Sequence, residues 1–361
     1  MKPKVLIIGS TGKLGSKLLK YTHSNNIKIL AATCFNNKKK ILSQKLKYKI
    51  NKTFVLSNKF DKSNFLKSLS KKIDLVYFLD FGSSSLIYLN HFLKYNHGST
   101  VAIANKEMII AGGKLLFDKI RNTNTSFIPL DSEHFSLKNT LQKKNIKKIY
   151  LTASGGPFFF KKNILLSNVN LNQVKTHPKW KMGLNNLIDS SNFMNKILEI
   201  FELSYIYDIP LSKIDFLVSK EAFIHSVVEY QDGIYTLNTF KNDMLITLTY
   251  PLKIFLKNLP HISSKNYLFY PKNFLLNFKY DSRFIMFRYL RKILNFNHCK
   301  QINLMLLNNI AQKRYLLGEI NYSNLIPYSI KKLKKTKNDY KFKSLNDIVK
   351  YIDNFNSKYD F

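Results

Sequence analysis

The residue types best suited to chemistry lie in the stretch IPLDSEHFSL. Asp131 and Glu133 are two residues apart, so in an extended segment their carboxylates project to the same side and suit a hard divalent cation that prefers oxygen ligands. Such a cation needs a third acid, and Glu199 on a predicted helix offers one. Asn195 and Lys196 precede Glu199 by four and three residues, which places all three side chains on one helical face. The spacing predicts a metal site to which two distant segments contribute.

Each of these acids also has a purely structural interpretation. Asp131 can cap a helix, and Glu199 can form a surface ion pair with Lys196. Considered singly, the structural interpretation is the better one for each residue, and only the combination indicates a metal site.

Two serines occupy positions suited to hold a substrate anion. Ser154 lies in TASGGP, a glycine turn after a predicted strand, and Ser190 stands at the predicted N-cap of a helix over 191–206. A capping role alone also explains Ser190. The segment HPKWKMG, residues 177–183, holds the single tryptophan, Trp180. A lone tryptophan normally belongs to the core, but in a short polar loop it predicts a lid that closes over a ligand.

Three glycines, Gly9, Gly12 and Gly15, follow a short apolar strand and precede a helix. Without side chains there, the backbone can approach a pyrophosphate and direct amide groups at it, although glycine turns also serve packing alone. An NAD site usually ends its second strand with an acid for the ribose hydroxyls. Here Asn36 and Asn37 stand after that strand, followed by a run of lysines. Amides and lysines attract a 2′-phosphate, so the sequence favours NADP over NAD, with a solvated lysine run as the alternative.

Alternating strands and helices must position these residues. Strands are predicted over 4–8, 27–34, 73–82, 100–107 and 126–134, with helices over 16–24 and 86–96. This alternation predicts an α/β fold with a Rossmann-type, doubly wound parallel sheet. From residue 146 the pattern changes to a strand running into the Ser154 turn, an amphipathic helix over 189–207, a strand-rich stretch with a hairpin turn at 231–233 and a mostly helical segment from 284.

The net charge of +36 raises the question of a nucleic-acid partner. Only five of the 58 basic residues are arginine, whereas nucleic-acid readers rely on arginine for bidentate contacts. Lys, Asn, Ile, Phe and Tyr are abundant and all have AT-rich codons, so we assign most of the charge to an AT-rich genome. The sequence therefore predicts no nucleic-acid partner.

Cysteine usage and hydropathy indicate the compartment. Cys34 and Cys299 are far apart and form no metal-binding pattern, which favours a reducing environment without disulfides. No apolar run reaches the roughly 18 residues of a membrane-spanning helix, and the N-terminus enters a strand at once. We expect a soluble, cytoplasmic protein without a membrane partner.

Six motifs, taken in order, resemble a known enzyme family. They are GSTGKLG, AIANKE, PLDSEH, LTASGGPF, HPKWKMG and IDSSNFMNKILE, and the family is 1-deoxy-D-xylulose 5-phosphate reductoisomerase of the non-mevalonate isoprenoid pathway. Weaker matches in IHSVVEYQDG, DSRF and YLLGEINYSNL extend the resemblance over nearly the full chain. The resemblance implies an oxidoreductase that isomerises and reduces 1-deoxy-D-xylulose 5-phosphate to 2-C-methyl-D-erythritol 4-phosphate with NADPH and Mn²⁺ or Mg²⁺.

The resemblance also implies an organisation for the chain. A homodimer is expected, with an NADPH-binding Rossmann domain over 1–130, a central α+β catalytic domain over 131–258, a flap near 177–183, a connector over 259–283 and a C-terminal helical domain over 284–361. The phosphosugar substrate and the second subunit are the expected partners.

The resemblance implies a role for each motif residue. The implied metal ligands are Asp131, Glu133 and Glu199, which together with Lys106 and His177 make up the catalytic set. The implied substrate contacts are Lys106, Ser132, His177 and the flap residue Trp180, with Ser154, Ser190, Asn195 and Lys196 at the phosphate. The implied cofactor contacts are Thr11, Gly12, Lys13, Leu14, Asn36, Asn37, Asn105, Glu107 and Gly183.

Three departures from the family pattern bear on activity. The stretch 219–222, SKEA, replaces the family's His-Pro-Gln-Ser, Phe35 replaces a glycine and is expected to crowd the adenosine end, and Asn185 replaces a lysine. Every implied metal and phosphate ligand is kept, so we expect an active but slow enzyme. The alternatives are a catalytically impaired NADP-binding relative and a nucleic-acid-binding protein. An aldehyde or homoserine dehydrogenase shares the glycine loop but leaves the three acids and the phosphate set unexplained.

Overall fold

The computed structural model describes residues 3–161, 164–176, 183–256, 259, 276 and 281–359. These residues form two compact units. Unit 1 draws its described residues from 1–138, 241–269 and 344–349, and unit 2 draws its own from 139–240, 270–343 and 350–361. This division is coarser than the predicted three domains, whose boundaries stay predictions.

The secondary structure alternates regularly in the first third of the chain. The described strands are β1 (Val5–Ile8), β2 (Ile29–Cys34), β3 (Lys52–Val55), β4 (Leu75–Phe78), β5 (Thr100–Ile103), β6 (Ser126–Pro129), β7 (Ile146–Ala153), β8 (Ile214–Val218), β9 (Ile224–Tyr230) and β10 (Tyr235–Thr239). The described α-helices are α1 (Lys13–Ser24), α2 (Lys38–Tyr48), α3 (Lys59–Leu69), α4 (Leu86–Tyr95), α5 (Lys106–Asn122), α6 (Ser132–Leu137), α7 (Leu171–Lys175), α8 (Leu184–Ser191), α9 (Met194–Tyr207), α10 (Met244–Phe255), α11 (Met286–Ile293), α12 (His298–Leu316), α13 (Leu325–Leu333) and α14 (Leu345–Lys358). None of these described helices has the length and apolar character needed to cross a membrane.

Unit 1 contains a six-stranded parallel sheet in the order β3-β2-β1-β4-β5-β6. The strands β1, β4 and β5 read VLII, LVYF and TVAI and are buried throughout, as expected for strands that helices cover on both faces. The chain winds outward from β1 to β3 on one side and from β4 to β6 on the other, which makes the gap between β1 and β4 a topological switch point. The predicted doubly wound α/β fold is confirmed, and the short strand β3 is an addition to the predicted set.

A late helix completes the core of unit 1. Leu248 and Leu252 of α10 are fully buried in the same apolar cluster as Val5 and Leu18. The Tyr77 hydroxyl on β4 donates a hydrogen bond to the Leu248 carbonyl (2.8 Å). The sheet is therefore covered in part by residues more than a hundred positions away in sequence.

The amino edge of the six-stranded sheet is formed by tight turns. Asn26, Gly98 and Asn124 precede β2, β5 and β6 and have φ values of 55°, 71° and 50°. Glycine and asparagine adopt this left-handed conformation at the lowest cost. His97, beside Gly98, is exposed.

Unit 2 contains a four-stranded sheet in the order β10-β9-β7-β8. Strands β7 and β8 are parallel, whereas β9 is antiparallel to both β7 and β10. The predicted hairpin is confirmed, with Gly233 at φ 84° between β9 and β10. Helices α8 and α9 pack together and α9 covers β7 and β8. The prediction of a mostly helical segment from 284 is confirmed by α11 to α14.

Candidate active site

The carboxyl edge of the six-stranded sheet collects the predicted cofactor residues of unit 1. All its strands run in the same direction, so the residues that follow them meet at one edge. The glycine loop follows β1, Asn36 follows β2, Asp80 follows β4, Lys106 follows β5 and Asp131 follows β6. Ligands of open parallel sheets bind outside this edge at the switch point. The arrangement in unit 1 therefore has the geometry of a dinucleotide site.

The three glycines of the loop have two different roles. Gly9 has φ 83°, and a Cβ there would lie 2.5 Å from the backbone nitrogen of Asp80. A Cβ at Gly15 would lie 2.5 Å from the Gly9 carbonyl oxygen. Gly12 is exposed at the N-cap of α1, where a Cβ would come no closer than 3.4 Å to its neighbours. Gly9 and Gly15 therefore serve close packing, and Gly12 leaves the first amides of α1 accessible to an anion.

The other predicted cofactor contacts near this loop differ in exposure. Lys13 is exposed at the start of α1, and Thr11 is half-buried. Leu14 is half-buried and packs against the core of unit 1. Asn36 and Asn37 are exposed, and the Asn37 side chain accepts a hydrogen bond (3.1 Å) from the third backbone amide of α2. Asn37 is thus a helix cap as well as a candidate cofactor contact.

Asp80 is a candidate functional residue that the sequence analysis does not predict. Asn105 donates hydrogen bonds to the Gly82 carbonyl (2.9 Å) and to Asp80 Oδ1 (3.3 Å), and Ser85 Oγ donates to Asp80. Burial raises the pKa of Asp80 to about 6, although the hydrogen bonds from Ser85 and Asn105 act in the opposite direction. Burial likewise raises the pKa of Glu107. The sequence does contain a signal for Asp80, because LDFG places an acid directly after an apolar strand, and buried acids of this kind are frequent at functional sites.

Asp131 and Glu133 lie at the start of α6, so the expectation of an extended segment is wrong. Asp131 occupies the N-cap position, and its carboxylate forms an ion pair with Lys106, the first residue of α5, which is 8% exposed. Ser132 Oγ donates to Glu133 within the first turn. An aspartate at the N-cap and a glutamate in the first turn both favour a helix, because its free amides and dipole attract negative charge.

Helix α9 brings together three of the residues predicted in unit 2. Asn195 donates to Glu199, and Lys196 forms an ion pair with Glu199, as their spacing of four and three residues predicts. Lys196 also donates to the Thr152 carbonyl on β7 (2.7 Å). Lys196 and Glu199 are only 4% and 2% exposed, so the alternative of a surface ion pair is wrong. Burying two charges is costly, which makes a functional role for the pair more plausible than a stabilising one.

The glycine turn after β7, which carries Ser154, packs at Gly156 against Ser190. Gly155 and Gly156 have φ values of 81° and 58°, and a Cβ at Gly156 would lie 2.8 Å from the Ser190 carbonyl oxygen. The turn can therefore pack against α8 only because position 156 has no side chain. Ser190 lies inside α8, so its predicted N-cap position is wrong.

The helix predicted over 189–207 is broken at Phe193. Helix α8 ends at Ser191, α9 begins at Met194, and Phe193 between them has φ 69°. A bulky residue in this conformation is unusual and costs roughly 1–2 kcal/mol. Its ring is buried and lies 5.0–5.7 Å from four others, those of Phe159, Phe216, Phe284 and Phe287. Aromatic packing therefore holds the break that separates Ser190 from the α9 residues.

Asp189 links α8 to α12 and is a second residue that the sequence analysis does not predict. Asp189 is 5% exposed, and its carboxylate accepts hydrogen bonds from Asn308 (2.9 Å) and Gln312 on α12. Helix α8 is thereby tied to α12 through a buried polar contact.

Ser219, where the family pattern has a histidine, lies at the end of β8. Its N–H donates to the Ala153 carbonyl (2.8 Å), and its hydroxyl donates to Glu221 (3.1 Å). Because β7 and β8 are parallel neighbours, Ser219 lies beside the turn that carries Ser154.

Two predicted substrate contacts, His177 and Trp180, lie outside the described residues, as does most of the predicted flap. Gly183, the last residue of that segment, is exposed at the N-cap of α8. The roles assigned to these three residues stay predictions.

Comparison of the sequence with known proteins identifies a family to which it is similar. A family model described as the 1-deoxy-D-xylulose 5-phosphate reductoisomerase C-terminal domain matches residues 127–207. The 1-deoxy-D-xylulose 5-phosphate reductoisomerase of Thermoanaerobacter sp. (strain X514) is 34% identical over 288 residues, which are 73% of this chain and 74% of that protein. The enzyme of the same name from Pelagibacter ubique (strain HTCC1062) is 30% identical, with 95% of this chain and 93% of that protein covered.

A solved structure shares the fold over the whole length. The crystal structure of DOX-P reductoisomerase in complex with NADPH, fosmidomycin and magnesium has a TM-score of 0.82 at 22% identity, covering 99% of this chain and 98% of that chain. At this identity the likeness shows the fold alone. The assignment to a family therefore rests on the two relatives that are 34% and 30% identical in sequence. The chain belongs to the 1-deoxy-D-xylulose 5-phosphate reductoisomerase family.

Proposed function

We propose that this chain is an NADPH- and divalent-metal-dependent enzyme that isomerises and reduces 1-deoxy-D-xylulose 5-phosphate to 2-C-methyl-D-erythritol 4-phosphate. The names of its sequence relatives support this function. The solved relative in complex with NADPH, fosmidomycin and magnesium supports the two cofactors. The glycine loop at the switch point of unit 1 suits a dinucleotide.

Asp131, Glu133 and Glu199 are proposed to hold the cation, which is Mg²⁺ or Mn²⁺. Their carboxylate oxygens are the ligands that hard divalent cations prefer. Asp131 and Glu199 each already attract a positive charge, since Lys106 lies against Asp131 and Lys196 against Glu199. The donor set therefore fits a cation. When bound, the cation polarises the carbonyl and hydroxyl oxygens of the substrate while the carbon skeleton rearranges.

The chain's own residues bind and orient the substrate. Lys106 and Ser132 are proposed to contact its reacting end. Ser154, Ser190, Asn195 and Lys196 are proposed to hold the phosphate, with His177 and Trp180 closing over the sugar. Phosphate binding remote from the reacting carbons supplies orientation, and closure excludes water. NADPH supplies the hydride that reduces the aldehyde product of the rearrangement.

The observation that carries this proposal is the arrangement on α9. One turn presents the half-buried Asn195 and the buried Lys196, which suit a phosphate, together with the buried Glu199, which suits a cation. A rigid helix thus fixes the distance between the phosphate and the metal-bound end of the substrate. Such positioning lowers the entropic part of the barrier.

The decisive experiment is a steady-state assay of NADPH oxidation by the purified chain with 1-deoxy-D-xylulose 5-phosphate. We expect turnover with Mn²⁺ or Mg²⁺, its loss on adding a chelator, and its return when excess metal is restored. Absence of NADPH oxidation at saturating substrate and metal would rule the activity out.

The second candidate is a relative that binds NADP without turnover. Ser219 favours it, because this buried hydroxyl is bonded to Glu221 where the family pattern has a histidine. This candidate predicts tight NADPH binding and no metal-dependent oxidation. A binding titration beside the assay separates the two.

The chain is further proposed to act as a homodimer in the cytoplasm. Among the described residues β10 is an edge strand, and its Tyr235 and Leu237 are 54% and 45% exposed, which suits pairing with a second copy. Light scattering after gel filtration tests the dimer, and Leu237→Lys should shift it towards monomer. Cys34 and Cys299 are free and buried, as suits a reducing compartment.

A further inference from the structure

An exposed phenylalanine stands at the carboxyl end of β2. Phe35 is 72% exposed. Its backbone is nevertheless fixed, because its carbonyl accepts a hydrogen bond from the Ser57 amide (2.9 Å) and the preceding Cys34 carbonyl accepts one from Leu56 (2.8 Å). The backbone that carries this flat apolar ring is thus held in place at the edge where ligands of such sheets bind.

The first turn of α2 brings a cation to the glycine loop. Lys40 Nζ donates to the Thr11 carbonyl (2.7 Å). Four residues later the buried Gln44 donates to the Ser10 carbonyl (3.0 Å) and accepts from the Ser10 hydroxyl (2.9 Å). Residues four apart share a helical face, so Gln44 fixes against the loop the same face that carries Lys40. The Lys40 ammonium is therefore held at the loop by the helix.

The charges around this position suit a phosphate. In a dinucleotide-binding sheet of this type the adenosine ribose lies at the end of the second strand, where an acid selects the free 2′-hydroxyl of NAD. Residues 35–40 read FNNKKK and contain no acid. An ammonium group there attracts a 2′-phosphate dianion.

We propose that Phe35 and Lys40 form the adenosine subsite of this chain, with the Phe35 ring stacked on the adenine and the Lys40 ammonium paired with the 2′-phosphate. The inference rests on the proposed use of NADPH. It replaces the expectation that Phe35 crowds the adenosine end, because an exposed ring adds a stacking surface. Aromatic platforms of this kind bind every base through its flat face.

Binding titrations on the full chain test the subsite with three probes: NADPH, NADH and adenosine 2′,5′-bisphosphate. Phe35→Ala should weaken all three by about tenfold, because each contains adenine. Lys40→Gln should weaken NADPH and the bisphosphate by about tenfold and leave NADH unchanged, because only the first two carry a 2′-phosphate. Leu46→Ala and Lys45→Gln are the matched controls, since both residues are exposed near the opposite end of α2, and both should bind like wild type.

Two results would overturn the inference. One is an affinity of Phe35→Ala equal to that of Leu46→Ala. The other is an equal loss of NADPH and NADH affinity in Lys40→Gln. If the wild-type chain oxidises NADPH, either result rejects the proposed subsite but not the proposed function. A wild-type chain that binds no NADPH removes both.

Discussion

In unit 1 the candidate residues follow the carboxyl ends of parallel strands, whereas in unit 2 they lie on two helices and a glycine turn. The first arrangement is a consequence of sheet topology, since any residue placed after these strands arrives at the same edge. The second depends on side-chain packing, because the phenylalanine rings around Phe193 hold the break between α8 and α9.

This difference indicates where each half is vulnerable. Unit 1 should be sensitive to backbone changes in its loops and tolerant of many side-chain changes. Unit 2 should be sensitive to core truncations and to single charges on α9.

Removal of one charge from α9 should abolish turnover and leave cofactor binding in unit 1 intact. In Glu199→Gln the side chain keeps its size but loses the charge that the cation needs. A metal ion contributes several kcal/mol to the transition state, so we expect kcat/KM to fall by about a thousandfold or more. NADPH affinity should match that of Glu319→Gln, an exposed control. Wild-type turnover in Glu199→Gln would refute the metal assignment.

Truncation of Phe193 should destabilise unit 2 and reveal its backbone strain. Phe193→Ala loses the aromatic packing, which costs roughly 3–5 kcal/mol. Phe193→Gly loses the same packing but removes the left-handed penalty, so it should be more stable than Phe193→Ala by about 1 kcal/mol. Phe216 lies on β8 in the same cluster, where the backbone is extended. There Phe216→Ala should be more stable than Phe216→Gly, because glycine weakens a strand. Urea denaturation measures the free energy of unfolding of all four variants. If alanine is more stable than glycine at both positions, the backbone at Phe193 is not strained.

A methyl group at two glycines should separate packing from binding in unit 1. Gly15→Ala places a Cβ against backbone atoms of Gly9 and Ser10, which costs roughly 1–3 kcal/mol. Gly12→Ala meets no such contact and has an ordinary φ of −67°. We therefore expect a lower Tm for Gly15→Ala, and a near wild-type Tm with weaker NADPH binding for Gly12→Ala. Equal losses of Tm would show that Gly12 is also a packing glycine.

The smallest effect concerns the pH dependence of stability through Asp80. Its pKa is raised to about 6, mainly by burial, so the folded state binds the proton more tightly than the unfolded state does. The stability linked to this proton is present at low pH and is lost as the pH rises through 6. Asp80→Asn should therefore raise Tm at pH 8 by a few degrees and change it little at pH 4. A uniform shift at both pH values would exclude this linkage.

Much of unit 1 is predictable because each strand is a short apolar run bounded by turns. The run LVYF of β4 is an example, whereas β3 has the same length of four residues but reads KTFV and is too polar to stand out. The start of α6 is misread because an apolar run leads into Asp131 and suggests a continuing strand. The α9 contacts follow from helical periodicity alone. The break at Phe193 does not, since neither glycine nor proline marks it and rings from distant segments select that conformation.

The burial of both cysteines makes the chain suited to site-specific labelling. Both native thiols are buried, and burial also raises the pKa of the Cys34 thiol, so neither competes for a thiol reagent with a cysteine placed on the surface. His97→Cys would put a single reactive thiol on the amino edge, the far side of the sheet from the glycine loop. Attachment to a solid support through that thiol would leave the carboxyl edge, which carries the glycine loop, facing the solution.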